Sequence, residues 1–327
     1  MSVRETVMVI GGAGYIGSHT AKELSTEYNV IVYDNLYRGH KWAVQFGEFI
    51  EGDILDTKRL TETLKRYSVK GVFHFAAHSL VGESVSDPLK YWQNNVAGTL
   101  SVLEAMKQGK VNHIVFSSTA AVFGEPEEVP INEEARLVPC NPYGATKLTV
   151  ENILSQCRDA HGLSYSVLRY FNAAGADPDS MLGEDHSPET HLIPLVLDAA
   201  LGRRKSISIF GDDYDTFDGT CVRDYIHVTD LATAHVLAYK RSIKENSSLS
   251  LNLGNGQGYS VRQVIDVVKK TTKVDFTVET APRRQGDPPS LIASSEKAIR
   301  LLGWKPCYNS LEDIVETAWN WHRKHFA

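Results

Sequence analysis

Cysteine is scarce in this chain, with Cys140, Cys157, Cys221 and Cys307 the only four in 327 residues. They are too few for a disulfide framework and too far apart for a CxxC metal or redox motif, so a reducing compartment, the cytoplasm, is expected. Apolar runs of membrane-spanning length are missing. The chain passes directly into Val7-Met8-Val9-Ile10 without an apolar leader, so a soluble, unprocessed protein with no membrane partner is expected. An excess of positive charge is missing too. Lys+Arg number 34 against 40 Asp+Glu, a formal net charge of −6, which excludes the electrostatic footprint of a nucleic-acid binder. Internal repeats, low-complexity tracts and long like-charge runs do not occur. With 42% hydrophobic and 23% charged residues, the composition is that of an ordinary globular protein whose length suggests about two domains.

What is present is an alternation of short Val/Ile/Phe-rich runs with amphipathic segments, the pattern of a parallel sheet covered by helices on both faces. The fold class expected is α/β: a doubly wound parallel Rossmann sheet with a second, smaller α/β substrate-binding domain. Strands are predicted at 6–10, 29–34, 48–51, 71–75, 113–117 and 165–169. The rhythm breaks at Asp177-Pro178-Asp179-Ser180, and loops such as Gly211–Gly219 and Pro282–Pro289 follow. A cofactor-binding domain over 1–176, also receiving part of 222–245, and a substrate domain over 177–327 are therefore expected. Ser260 with Gln263 reads as a capping box, and Ser310 as the cap of the last helix.

Gly11-Gly12-Ala13-Gly14-Tyr15-Ile16-Gly17 joins the first strand to a helix. Gly11, Gly14 and Gly17 allow a tight turn, close approach to a pyrophosphate and close helix–sheet packing, while the helix start offers free N–H groups to the anion. The second strand ends at Asp34, where a carboxylate accepts hydrogen bonds from a ribose 2′-hydroxyl and repels a 2′-phosphate. NAD is thus favoured over NADP. The plainer reading is a structural turn with Asp34 as a cap. Asp53-Ile54 could flank the adenine in the same way, although an Asp at a helix start is often only an N-cap.

Tyr143 and Lys147 stand at i and i+4 of a predicted helix, so the ammonium can favour the ionised phenol and make it a usable base. Just before them, Phe116-Ser117-Ser118-Thr119 ends a strand where doubly wound sheets place ligands. Thr119 is the candidate for orienting the reacting hydroxyl, with Ser117 and Ser118 nearer the cofactor. The remaining histidines, including His74, His78 and His227, are expected to be packed or hydrogen-bonded. None pairs with a second His, Asp or Cys at metal spacing, and no metal is expected.

These motifs, with Phe75-Ala76-Ala77 and Arg169-Tyr170-Phe171-Asn172, stand in the order of the extended short-chain dehydrogenase/reductase family, which the chain resembles nearly end to end. The likeness includes Val81–Ser84, Gly183-Glu184-Asp185, Gly219–Val228 and Ala281–Asp287. Within that family it is similar to enzymes that invert C4 of UDP-hexoses. The resemblance implies reversible C4 epimerisation of UDP-glucose and UDP-galactose through a transient 4-keto sugar. It places Asp34, Asn35, Asp53, Ile54, Phe75, Ala76, Ala77, Asn94, Tyr170 and Phe171 around NAD with Lys147, Tyr143 and the glycine turn, including Tyr15 and Ile16. It places Ser79, Thr119, Tyr143, Asn172, Leu192, Phe210, Arg223, Arg284, Asp287 and Leu291 against the sugar nucleotide, and implies a homodimer through helices of the first domain. Guanidiniums suit a pyrophosphate and an apolar ring suits uracil. Arg223 and Arg284 read equally well as structural ion pairs.

The chain departs from the pattern at Ser79, where several relatives carry lysine, at Phe123, a frequent tyrosine, and at His191, a frequent asparagine. Leu291 stands where side-chain bulk governs acceptance of an N-acetyl group. A 4,6-dehydratase needs an acid and a base after the threonine, but Ala120-Ala121 follow Thr119. A C4 epimerase of another UDP-sugar (N-acetylhexosamine, pentose or uronic acid) and a non-catalytic NAD-sensing protein remain as alternatives.

Overall fold

The computed structural model describes residues 4–284 and 287–327, so Gln285 and Gly286 of the 281–287 motif lie outside the described residues. Seven parallel strands form the main sheet. Their spatial order is Leu249–Leu253, Ser164–Tyr170, His113–Thr119, Gly71–His74, Thr6–Ile10, Asn29–Asp34 and Glu48–Glu51. The order reverses between Thr6–Ile10 and Gly71–His74, and a crevice for ligands opens at such a switch point. Six of the strands coincide with the predicted runs to within two residues at each end. The seventh, at the edge, comes from the second half of the chain.

Burial on both faces explains why these strands read as continuous apolar runs rather than alternating ones. Val7 and Val9 point to one side, packing with Leu24, Val32, Phe73, Val115 and Leu168 beneath Leu231 and Tyr239 of helix Val228–Glu245. Met8 and Ile10 point to the other, with Tyr33, Val72, Ile114, Phe116 and the apolar faces of helices Thr57–Arg66, Gly98–Gly109 and Pro142–His161. Each such aliphatic side chain contributes about 1.5–3 kcal/mol by leaving water.

A smaller layer is built on Val222–His227. This strand pairs with Asn172–Ala174, Gly258–Ser260 and Ser290–Leu291. Helices Leu192–Ala200, Val261–Thr272 and Leu311–Phe326 pack around their own apolar cluster beside it. Ser260 forms the capping box with Gln263, and Ser310 accepts from Asp313 N–H at 3.1 Å. Asp224, fully buried, accepts backbone N–H bonds from Asn255, Gly256 and Ala293 at 2.7–3.0 Å, tying two distant chain segments to the same strand. No helix among the described residues is long and apolar enough to cross a membrane.

Five imidazoles are buried in this framework, His322 being the one paired with a carboxylate, that of Asp198 at 2.9 Å. His74 meets Thr99 at 2.9 Å, His227 bonds Thr317 and Thr229, and His19 and His235 each donate to a carbonyl one helical turn back. Burial pushes their pKa values down, to about 3 for His74 and His227 and about 4 for His19 and His235. The unfolded chain takes up these protons near pH 6.5 and the folded chain does not. Their stability contribution is therefore complete above pH 6.5 and is lost as pH falls below it, by about 1.4 kcal/mol per pH unit for each histidine. The urea midpoint should drop between pH 7 and pH 5; a midpoint constant over that interval would contradict the assignment.

Candidate functional site

The carboxyl ends of the first six strands lie along the edge that holds the switch point, and each delivers part of the site. Gly11 follows the first strand with φ +80°, and a Cβ there would come within 2.5 Å of the Ala76 backbone nitrogen. A Cβ on Gly17 would run into the Gly11 carbonyl, and one on Gly12 would press on Val9 and Val32. Gly14 differs. Its Cβ would meet nothing nearer than Gly11 O at 3.4 Å, and it begins helix Tyr15–Ser25 without any side-chain cap. That combination leaves an open cradle lined by helix-start N–H groups, which fits a pyrophosphate. Ile16 packs into the apolar core. Tyr15 donates its hydroxyl to Gly175 O at 2.6 Å, bracing the turn against the start of the smaller layer.

Asp34 accepts from Ala13 N–H at 3.0 Å through one oxygen and from Leu36 N–H at 2.8 Å through the other. It therefore holds the glycine turn in shape, and each oxygen keeps a lone pair for a ribose. Asn35 donates to Asp53 at 2.8 Å. With Gly52, Asp56 and Arg59 these two line a shallow cavity of about 350 Å³ beside Asp34. Ile54 is buried against Gly98. Phe75 and Ala76 both donate backbone N–H to Ile10 O, which draws the end of the fourth strand against the glycine turn, with Ala77 next in chain.

Helix Pro142–His161 supplies the reactive groups. Asn141 caps it by accepting from Gly144 N–H at 2.9 Å, and Pro142 suits its first turn. Gly144 lets that turn sit on the segment after Thr119, since a Cβ there would strike the Ala121 carbonyl. Tyr143 is thereby brought beside Thr119, whose hydroxyl, close enough to favour the phenolate, accepts from Ala121 N–H at 3.1 Å. Lys147, buried, donates to Ser117 O at 2.8 Å and lies 4.8 Å from the Phe116 ring centroid.

The electrostatics differ from the expectation that Lys147 would lower the phenol. Burial pushes Tyr143 up to about 12, only partly offset by Thr119, and pushes Lys147 down to about 7 against the pull of Glu151. Lys147 is buried and Tyr143 half-buried, and withdrawal from water disfavours the charged form of each, so a neutral pair is favoured.

Ser117 shares a hydrogen bond with the Tyr170 hydroxyl, on the same side of the strand as Thr119. Ser118 points the other way, away from the expected cofactor side, and donates to Glu151 at 2.5 Å. Glu151 in turn grips Arg169, with Nη2 to Oε2 at 2.6 Å. The strand pleat accounts for the separation, because neighbouring residues face opposite sides. Glu151 was missed, although it continues the i, i+4 row of Tyr143 and Lys147 by one more turn. Asn95 was missed too. Buried in the π-helical segment Trp92–Ala97, it accepts from His78 N–H and Asn94 and donates to His78 O and Thr146. Asn94 lies beside it, half-buried.

The smaller layer faces the same crevice. Phe171 and Leu291 pack together on Ala120, Val122 and Phe123, the turn that follows Thr119. Asn172 donates to Asp224 O at 3.0 Å. Arg223 pairs with Asp287 and also donates to Val222 O, so one of the two guanidiniums is in an ion pair. Arg284 instead stacks on the Phe210 ring at 4.1 Å. Leu192 opens its helix against the smaller apolar cluster, and Ser79 is exposed beyond the fourth strand.

Two further histidines, His186 and His191, lie outside the buried framework. Glu184, His186, Glu189 and His191 place ligand atoms within 4.8 Å of one another, a convergence hidden in the sequence because the two histidines are five residues apart in a loop. Glu184 is held low, at about 2, by the two imidazoles against the effect of its burial. His186 is pushed up to about 10 by the two carboxylates, and His191 is raised by the same partners.

A glycine cradle at a switch point, with a phenol, a hydroxyl and an amine gathered at the end of the neighbouring strands, defines a dinucleotide-binding α/β protein equipped to move a proton at a substrate hydroxyl. The chain belongs to the NAD dependent epimerase/dehydratase family, whose model matches residues 7–254. It is 55% identical to a UDP-glucose 4-epimerase of Halalkalibacterium halodurans over 98% of this chain and 96% of that protein. Among solved structures, it is similar to UDP-glucose 4-epimerase from Brucella ovis in complex with NAD, with a TM-score of 0.95 and 50% identity, covering 97% of this chain and 98% of that one. It is also similar to UDP-glucose 4-epimerase from Bifidobacterium longum in complex with NAD+ and UDP, with a TM-score of 0.92 and 38% identity over 98% of both chains.

The cradle geometry separates two glycines. Gly17→Ala should lower the melting temperature, because its methyl meets backbone, whereas Gly14→Ala should leave it unchanged and weaken NAD binding at least about tenfold. Equal melting losses in the two variants would show that Gly14 is structural.

Proposed function

We propose that this chain catalyses the reversible C4 epimerisation of UDP-glucose and UDP-galactose with bound NAD. The observation that carries the reading is Tyr143 meeting Thr119 beside the dehydrated Lys147, at the strand end next to the glycine cradle. Tyr143 takes the proton of the sugar 4-hydroxyl and returns it later, and Thr119 orients that hydroxyl and shares its proton. Lys147, poised near neutral pH, favours the phenolate when charged and offers N–H groups to a ribose. When bound, NAD supplies the two-electron acceptor, restored in each cycle, and a cationic ring whose field also favours the phenolate. Asp34, Asn35, Asp53 and Ile54 hold its adenosine end, the glycine turn its pyrophosphate, and the ends of the fourth to sixth strands its nicotinamide end.

Arg223, Arg284 and Asp287, with Phe210, Asn172 and Leu192, anchor the UDP part while the 4-keto sugar turns to present its other face. Leu291, packed beside Phe123, borders the hexose. Ala120 and Ala121 carry no proton donor or acceptor in their side chains, so elimination is not supported. Residues 1–176, joined by helix Val228–Glu245 and strand Leu249–Leu253, form the cofactor-binding unit, and the remainder the sugar-nucleotide unit. Four unpaired thiols suit the cytoplasm. Exposed Val85, Leu89 and Leu100, on helices Val81–Ser86, Pro88–Tyr91 and Gly98–Gly109 of the first half, are apolar side chains that a homodimer contact would cover.

Incubation of the purified protein with UDP-galactose and no added NAD tests the reaction directly. Wild type should yield UDP-glucose. Tyr143→Phe should retain NAD and its melting temperature but lose at least about 10³-fold in kcat, and Thr119→Val about 10²-fold. Undiminished turnover by Tyr143→Phe would falsify the mechanism, and release of a 4-keto-6-deoxy product would replace it with dehydration.

A further inference from the structure

The chain enters helix Leu192–Ala200 through Glu184-Asp185-His186-Ser187-Pro188-Glu189-Thr190-His191, a stretch without helix or strand that carries four metal-ligating side chains in eight residues. His186 Nδ1 lies 3.3 Å from Glu184 Oε1 and 3.5 Å from Glu189 Oε2. His191 Nδ1 contacts the same Glu184 Oε1 and lies 3.5 Å from Glu189 Oε1. The carboxylates are not a solvated acidic patch. The Glu184 side chain is 7% exposed and that of Glu189 12%.

Three features distinguish this cluster from two separate His–Glu pairs. Both imidazoles aim Nδ1 at the same two carboxylates, and one ligand atom of each of the four residues lies within 4.8 Å of the other three. A four-coordinate ion with bonds of about 2.0–2.2 Å holds its donor atoms roughly 3.3–3.6 Å apart; three of the four imidazole–carboxylate contacts span 3.3–3.5 Å, and the fourth, His191 to Glu184, is closer. Two buried carboxylates carry the charge that a dication balances, with both imidazoles neutral. The surroundings also fix the ligands. Glu189 accepts N–H bonds from Thr190 and His191 at 2.7 and 2.8 Å, and the Tyr15 ring packs edge-on against His186 at 6.4 Å. Such outer contacts orient metal ligands.

We propose that Glu184, His186, Glu189 and His191 form a binding site for one divalent transition-metal ion. Two imidazole nitrogens and two carboxylate oxygens suit zinc, whereas calcium and magnesium take oxygen ligands. The bound ion clamps the segment that leads into helix Leu192–Ala200 and, through His186 and Tyr15, braces it against the glycine-turn helix. Its role is structural, and the proposal stands independently of the epimerase reading.

Chelator-treated full-length protein titrated with zinc by calorimetry tests this, with the melting temperature followed in parallel. The expected result is one zinc per chain, a raised melting temperature and, on cobalt substitution, the visible absorption of a four-coordinate site. His186→Gln and Glu189→Gln should each weaken zinc binding more than about tenfold and lose the cobalt spectrum. Three outcomes would overturn the proposal: no saturable zinc uptake by wild type, an equal response to calcium, or zinc affinity and cobalt absorption unchanged in His186→Gln. The wild-type titrations decide the matter even if a variant folds poorly.

Discussion

The site depends on one close approach, that of the first turn of helix Pro142–His161 to the turn that follows strand His113–Thr119. Gly144 has the Ala121 carbonyl where a side chain would be, and Asn141 anchors the helix start from the other end. Because the helix sits this close, the phenol on its first turn reaches Thr119 and the amine one turn later reaches the carbonyl of Ser117. A larger residue at 144 would lift both reactive groups away from the strand at once. Catalytic geometry and packing are here the same constraint.

Below that contact the polar groups form a second, wholly buried arrangement. Arg169 and Glu151 bond through several atoms, Ser118 adds a donor to the same carboxylate, and Lys147 stands one helical turn away. Removing one member of a buried pair leaves an uncompensated charge, which typically costs about 3–5 kcal/mol, so this set resists piecemeal change. Lys147 and Tyr143, one and two turns earlier on the same helix, have no bonded counter-charge among the described residues. Their shifts in opposite directions reflect dehydration that only a further charge or hydrogen-bonding partner in the crevice relieves.

The smaller layer is bound to the same place through strand Val222–His227. Arg223 lies on it between Leu291 and Tyr259 in register, and Asp224 next to it gathers three backbone N–H groups. Alternation along the strand therefore sends one side chain to the crevice and the next into the framework. Phe171 and Leu291 touch the turn after Thr119, so the two layers meet at the reactive groups and not at a distance from them.

The sequence by itself determined the α/β class, six of the seven main strands, the glycine turn, Asp34, and the tyrosine, lysine and threonine, because each is written in local signals: apolar runs, glycine spacing and the i, i+4 step of a helix. Only the tertiary structure decided which hydroxyl of Ser117 and Ser118 faces Tyr170, since the strand's facing depends on its neighbours. Only it decided that Asn95 and Glu151 are the buried supports, that Arg223 takes Asp287 while Arg284 takes Phe210, and that two glutamates and two histidines of a loop converge. The sign of the Tyr143 and Lys147 shifts belongs to the same group. A charge pair read from spacing carries no measure of how much water the fold will remove, and here that loss is the largest cause of both shifts.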